Sequence, residues 1–198
     1  AKALGPGSSL SYSPEMDKAL RRRRFVEQKI REALGHDGFE LAFQPLVNLA
    51  SGRIDGAEAL LRMPADLDGE IGPAEFIPVA EEHGLIADLG RFVIVEGCRA
   101  LTLMPPGIKL AINLSPKQFD PGDLSGIVAG AIAASGIDPA RLELEITESL
   151  LLDDSEKLLA QIAALKALGV AVAIDDFGQG YSSFSYLRRF AFDKIKLD

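Results

Sequence analysis

Four side chains that could bind a cation, Glu58, Asn113, Glu145 and Asp175, each fall near the end of an apolar, strand-like run. The second such run ends in Glu58-Ala59-Leu60-Leu61-Arg62 and the third in Asn113-Leu114-Ser115. The fourth reads LELEITES, with Glu143, Glu145 and Glu148; the fifth ends in Asp175-Asp176, and the last carries Lys194, Lys196 and Asp198. Strand alternation sends Glu143 and Glu145 to one face and Leu142, Leu144 and Ile146 to the other. Carboxylates gathered without a counter-charge repel and raise one another's pKa. An oxygen-rich cluster of this kind suits Mg²⁺ or Mn²⁺. The adjacent Asp175-Asp176 pair can hold or bridge two ions, an arrangement fitted to displacement at phosphorus. Any one of these acids by itself reads as a helix cap or surface residue; together, each at a strand end, they point to a shared site.

The elements that must position them follow from periodicity. Strands are expected near Glu40–Gln44, Ile54–Leu61, Lys109–Asn113, Arg141–Ile146, Val170–Asp175 and Asp193–Lys196. Helices are expected over Pro73–Glu82, Ile86–Leu103, Leu124–Ser135, Ser155–Leu168 and Ser182–Arg189. A further helix starts at the Ser13-Pro14 cap and runs to about Leu34. Its Arg21–Arg24 run reads as a solvated face, with a docking helix as the alternative. Gly84, Gly136 and Gly169 are placed to stop helices. The first two strands, joined across Ala50-Ser51-Gly52, suggest a hairpin. Thereafter strands and helices alternate, which predicts an α/β fold with a parallel sheet. Runs such as VAVAI are apolar throughout, as strands covered on both faces are. If the sheet curls into an α/β barrel, the strand C-termini form one mouth, where active sites sit.

Composition narrows the function. The 198 residues carry a formal net charge of −8, with 47% hydrophobic and 25% charged residues. That composition fits one folded domain plus a tail, and its acidity disfavours polymeric nucleic acid as a partner. A phosphate-bearing substrate would need a divalent metal to offset repulsion. The one cysteine, Cys98, lies in an apolar helical stretch and reads as a buried, inert thiol suited to a reducing compartment. There is no signal peptide and no apolar run long enough to span a bilayer, so a cytoplasmic location is expected. Glycines in DDFGQGYSS read as a tight turn or a phosphate cradle, but the setting of a Walker or dinucleotide loop is missing. His36 and His83 lie away from the strand ends, and there is no Cys/His zinc cluster or GxSxG elbow.

From about Phe39 to Asp198 the sequence resembles the EAL family of cyclic-di-GMP phosphodiesterases. The resemblance rests on FQPLV, EALLR, FIPVAEEHGLI, INLSPKQF, LELEITES, AIDDFGQGYSSFSYLRRF and FDKIKLD, in that order. It implies a modified (β/α)8 TIM-like barrel, incomplete here at about six strands, that hydrolyses cyclic-di-GMP to linear pGpG with Mg²⁺ or Mn²⁺. By resemblance, Glu58, Asn113, Glu145 and Asp175 are metal ligands and Asp176 is a ligand of a second metal. Lys196 matches the lysine near the nucleophilic water, and Glu148 the glutamate that steadies the loop after the fifth strand. Gln44, Leu61 and Arg62 match positions lining the substrate site, with Arg62 suited to a phosphate.

The resemblance also organises the chain. Residues 1–12 resemble the end of a GGDEF domain, 13–35 a linker helix, and 36–198 an EAL domain that stops early. A homodimer and an upstream GGDEF domain are therefore expected partners. Gln179 departs from the family's small residue in DDFGxG, in a loop that connects the metal site with the dimer interface. The family's later glutamate, assigned as general base and metal ligand, would lie beyond Asp198, as would a substrate-contacting glutamine and two β/α units. Little or no turnover is expected of these 198 residues alone. A cyclic-di-GMP receptor or a dimerisation module is the alternative function, but the intact metal positions favour the enzyme.

Overall fold

The structure, a computed structural model, describes residues 14–36, 38–63, 71–120, 123–152, 155–178 and 192–197. The expected helix over Ser182–Arg189, Ser13, Gln179 and Asp198 lie outside the described residues.

Helix α1 spans Pro14–Gly35, with Pro14 at its first position and Glu15 and Asp17 in its first turn, where proline and negative charge are favoured. Its Val26 and Ile30 are fully buried. The arginine run is more than a solvated face. Arg22 grips Glu75 with two bonds of 2.6 and 2.9 Å, and Arg23 bonds Glu82 at 2.9 Å, both on helix α2 (Pro73–Glu82). These pairs fasten α1 across the rim of its apolar contact.

Strands β1 (Glu40–Val47) and β2 (Ile54–Arg62) form the antiparallel hairpin. Asn48 organises its turn: its side-chain oxygen accepts from the Ala50 and Ser51 amides, and its amide donates to Asp55. Gly52 closes the turn at φ 67°, a conformation that favours glycine. The sequence then alternates as expected through α2, α3 (Ile86–Leu103), β3 (Lys109–Leu114), α4 (Leu124–Ser135), β4 (Leu142–Thr147), α5 (Glu156–Ala167), β5 (Ala171–Phe177) and β6 (Lys194–Leu197). The six strands lie in sequence order, β1-β2-β3-β4-β5-β6, and every pair after the first is parallel. The sheet is open, with β1 and β6 at its edges among the described residues.

Period-2 alternation divides the sheet into two chemistries. One face carries Ala57, Ala59 and Leu61, then Leu110, Ile112 and Leu114, then Leu142, Leu144 and Ile146, then Val172 and Ile174. These join Phe76, Leu89, Ile94, Leu101, Val128, Ile162 and Leu165 of the helices in one apolar core. Cys98 is fully buried in that core, and burial pushes its thiol up to about 11, which keeps it inert. The opposite face carries Glu58, Ala111, Asn113, Glu143, Glu145, Ala173, Asp175, Lys194 and Lys196. Among the described residues no helix is long and apolar enough to cross a membrane.

The Arg22 fork beside Glu75 holds that carboxyl below the usual glutamate range, against the effect of its slight burial. A lowered folded-state pKa stabilises above the unfolded value, and the gain is lost as pH falls through the folded value. Glu75→Gln should therefore cost up to about 1 kcal/mol at neutral pH, as exposed pairs do. The melting difference between Glu75→Gln and wild type should close as the pH drops below the glutamate range; a difference unchanged in acid would contradict this role for the pair.

Candidate functional site

Parallel pairing of β2 to β5 brings their C-terminal ends to one rim, and the inward residues of that rim are the acids singled out from the sequence. Asn113 and Glu145 are register partners, and Thr147 pairs with Asp175 in the next row. The Asn113 amide donates to Glu58 Oε1 at 2.6 Å. Lys196 Nζ lies 2.5 Å from Glu145 Oε2, 2.9 Å from Asp175 Oδ2 and 3.6 Å from Glu58 Oε2. One ammonium thus ties together carboxylates from three strands.

Burial pushes the Glu145 carboxyl up to about 7; the Lys196 bond opposes this shift, and the nearby Glu58 and Asp175 charges add to it. Burial also works against the Lys196 ammonium. Its bonds to Glu145 and Asp175 outweigh that cost, however, and hold it above the ordinary lysine range. Lys196 is therefore the fixed cation of the cluster.

Among the described residues, no three Asp, Glu, His or Cys side chains are grouped tightly enough to hold a metal on their own. The acids are arranged around the ammonium instead of converging as a bare carboxylate cluster. The donor set nevertheless fits a hard divalent ion. It is all oxygen, and Glu145 Oε1 is buried without a hydrogen-bond partner, a costly state that a cation would relieve.

The end of β5 is built differently. The β5–β6 register shifts between Ile174 and Phe177, and Asp176 takes a left-handed conformation at φ 55°. That geometry costs an aspartate about 1 kcal/mol or more. The Asp176 amide bonds Asp175 Oδ1 at 3.0 Å, and Gly178, at φ 103°, donates its amide to Glu148 Oε2 at 2.9 Å. Buried Glu148, in the 3-10 turn after β4, thus ties down the start of the loop after β5.

The remaining sequence candidates lie around the same rim. Gln44 is the register partner of Glu58. Leu61 belongs to the apolar core and also lines a cavity of about 320 Å³ shared with Arg62, Glu81, Asn113, Ser115 and Thr147. Larger grooves on the outer helical face contain none of the clustered acids.

Sequence reasoning overlooked the support beneath Asn113. Ser115 caps a short 3-10 turn, Pro116–Gln118, in a reciprocal capping box with buried Gln118. The Ser115-Pro116 pair with Gln118 three residues on carried that signal. Glu81, which accepts the Ser115 hydroxyl at 2.6 Å, carried none. Gln118 fits only because position 90 of α3 is glycine: a Cβ there would lie 1.8 Å from its Nε2. Gly90→Ala should displace Gln118 and cost about 1–3 kcal/mol. A melting temperature equal to wild type would refute this close fit.

This fold and rim define an EAL domain, and the chain belongs to that family, whose profile it matches over residues 27–198. It is 46% identical over 198 residues to the protein y4lL of Sinorhizobium fredii, covering all of this chain and 24% of that protein. It is 35% identical over 202 residues to MucR of Pseudomonas aeruginosa, a bifunctional diguanylate cyclase/cyclic di-GMP phosphodiesterase, covering all of this chain and 30% of MucR. A structure of the MucR phosphodiesterase in complex with c-di-GMP superposes with a TM-score of 0.83 at 37% identity, covering 88% of this chain and 72% of that one. BlrP1 of Klebsiella pneumoniae, in a calcium and c-di-GMP complex, gives 0.69 at 31% identity over 83% of this chain and 41% of that one. The chain spans about a quarter of the length of the first curated relatives it matches.

Proposed function

We propose that this domain hydrolyses cyclic-di-GMP to linear pGpG with a bound divalent cation, Mg²⁺ or Mn²⁺. The observation that carries the reading is the set of carboxylate oxygens from Glu58, Glu145 and Asp175 around one cationic position, with Asn113 bonded to Glu58 and Glu145 Oε1 buried and unpartnered. The c-di-GMP complexes of its structural relatives support the substrate.

Glu58, Asn113, Glu145 and Asp175 would hold the first ion, and Asp176 a second. When bound, such ions supply an activated water and offset charge on the phosphate. The chain's own residues do the rest. Lys196, protonated at neutral pH, offers positive charge beside the attacking water and is unsuited to remove its proton. In this reading Arg62 and Gln44 bind and orient a phosphate at the rim. The apolar wall of the adjoining cavity, which includes Leu61, suits the flat face of a purine. Glu148 steadies the turn that presents Asp175 and Asp176. The water oxygen bonds phosphorus as one bridging P–O bond breaks, and the departing ribose oxygen takes up the proton that the water gives up, opening the ring to a free hydroxyl and a terminal phosphate.

The same reading assigns the domain to the cytoplasm, as a homodimer with an upstream GGDEF domain. The bifunctional name of MucR, a diguanylate cyclase as well as a phosphodiesterase, supports the upstream GGDEF domain.

The test is chromatography of cyclic-di-GMP incubated with the intact protein and Mg²⁺ or Mn²⁺. pGpG should appear, a chelator should stop it, and Glu58→Ala should slow it about a hundredfold or more, since even indirect supports of a metal cost 10–100-fold. Substrate bound but left whole with either metal would overturn the reading in favour of a receptor.

A further inference from the structure

We infer that Glu81 is a positioning residue for Asn113, acting through Ser115; the inference rests on the metal-dependent reading above. Asn113 is an exposed residue at the end of its strand; its amide nitrogen bonds Glu58, which leaves Oδ1 for a cation. Its aim therefore depends on the backbone that follows, and that backbone is pinned at Ser115. The Ser115 amide donates to Gln118 Oε1 at 2.8 Å, and its hydroxyl accepts from the Lys117 amide at 3.2 Å. The hydroxyl proton goes to Glu81 Oε1 at 2.6 Å. A charged acceptor makes this the strongest of the three bonds.

Glu81 is well placed to serve as an anchor. It lies in the last turn of α2, whose Phe76, Val79 and Ala80 are buried in the core. Its backbone carbonyl also accepts from Lys117 Nζ at 3.3 Å, so side chain and backbone both hold the same segment. The rigid helix thereby fixes the turn two residues beyond Asn113. Groups that orient a metal ligand in this indirect way typically change metal affinity 10–100-fold when removed. Glu81 also lines the cavity beside the rim, so direct contact with substrate through its charge is the competing explanation.

The two separate by measuring Mn²⁺ affinity calorimetrically on the intact protein without substrate, together with amide exchange at residues 113–118 without metal. Glu81→Ala and Ser115→Ala should each weaken Mn²⁺ binding about 10–100-fold and speed exchange at Ser115. The double variant should be little worse than either, because the two share one bond. Glu81→Gln keeps an acceptor for the hydroxyl and should stay within about fivefold of wild type. Mn²⁺ affinity unchanged in Glu81→Ala, or Glu81→Gln as weak as Glu81→Ala, overturns the inference while leaving the metal site standing. A wild-type protein that takes up no Mn²⁺ overturns the metal reading and this inference together.

Discussion

The reach of one lysine across a neighbouring strand organises the inner face of this sheet. Lys196 on β6 passes Asp175 on β5, bonding it, and ends on Glu145 of β4. One pleat deeper the pattern repeats: Lys194 passes β5 to bond Glu143 of β4 at 2.8 Å. Lys194 is in register with Ala173, which is itself in register with Glu145. Lys194 therefore slants to the glutamate one pleat below its own row. Alanines at 171 and 173 leave the room for that crossing. Without the two ammonium groups, acids crowded on one face would resist assembly.

Such a face contributes little net stability, since desolvation offsets much of what a buried ion pair gains. The opposite face supplies it. Leucine, isoleucine and valine on β3, β4 and β5 join residues of all five helices, α1 to α5, in one continuous apolar core. That layer can carry the strained Asp176 and the unpartnered oxygen of Glu145, features that a sheet stabilised on its inner face alone could not tolerate.

Much of this was legible in the sequence because each strand obeys its period. The ELEIT alternation placed Glu143 and Glu145 together, and the bounds of α2, α3 and α4 fell where proline, glycine and apolar spacing put them. What escaped depends on distance in space. Nothing near Arg22 or Arg23 announces partners on α2 more than fifty residues away, so the run looked like plain surface. Lys196 could be placed on the rim, but its bonds to three strands depend on the slant of β6 relative to β4. Glu81 sits among other helix-end acids, and only the fold brings it to Ser115.

The hairpin has a consequence for how the domain is wired. Because β1 runs against its neighbours, its first residue, Glu40, pairs with Arg62 at the rim, while the turn after Val47 lies at the far end. A parallel first strand would have entered from the opposite side, about 25 Å away at the usual rise of a strand of this length. The chain instead leaves α1 at Gly35 and arrives at the rim five residues later, at Glu40. The helix is plumbed straight into the working end of the sheet, so a tug or twist along it has almost no slack to take up before it is felt there.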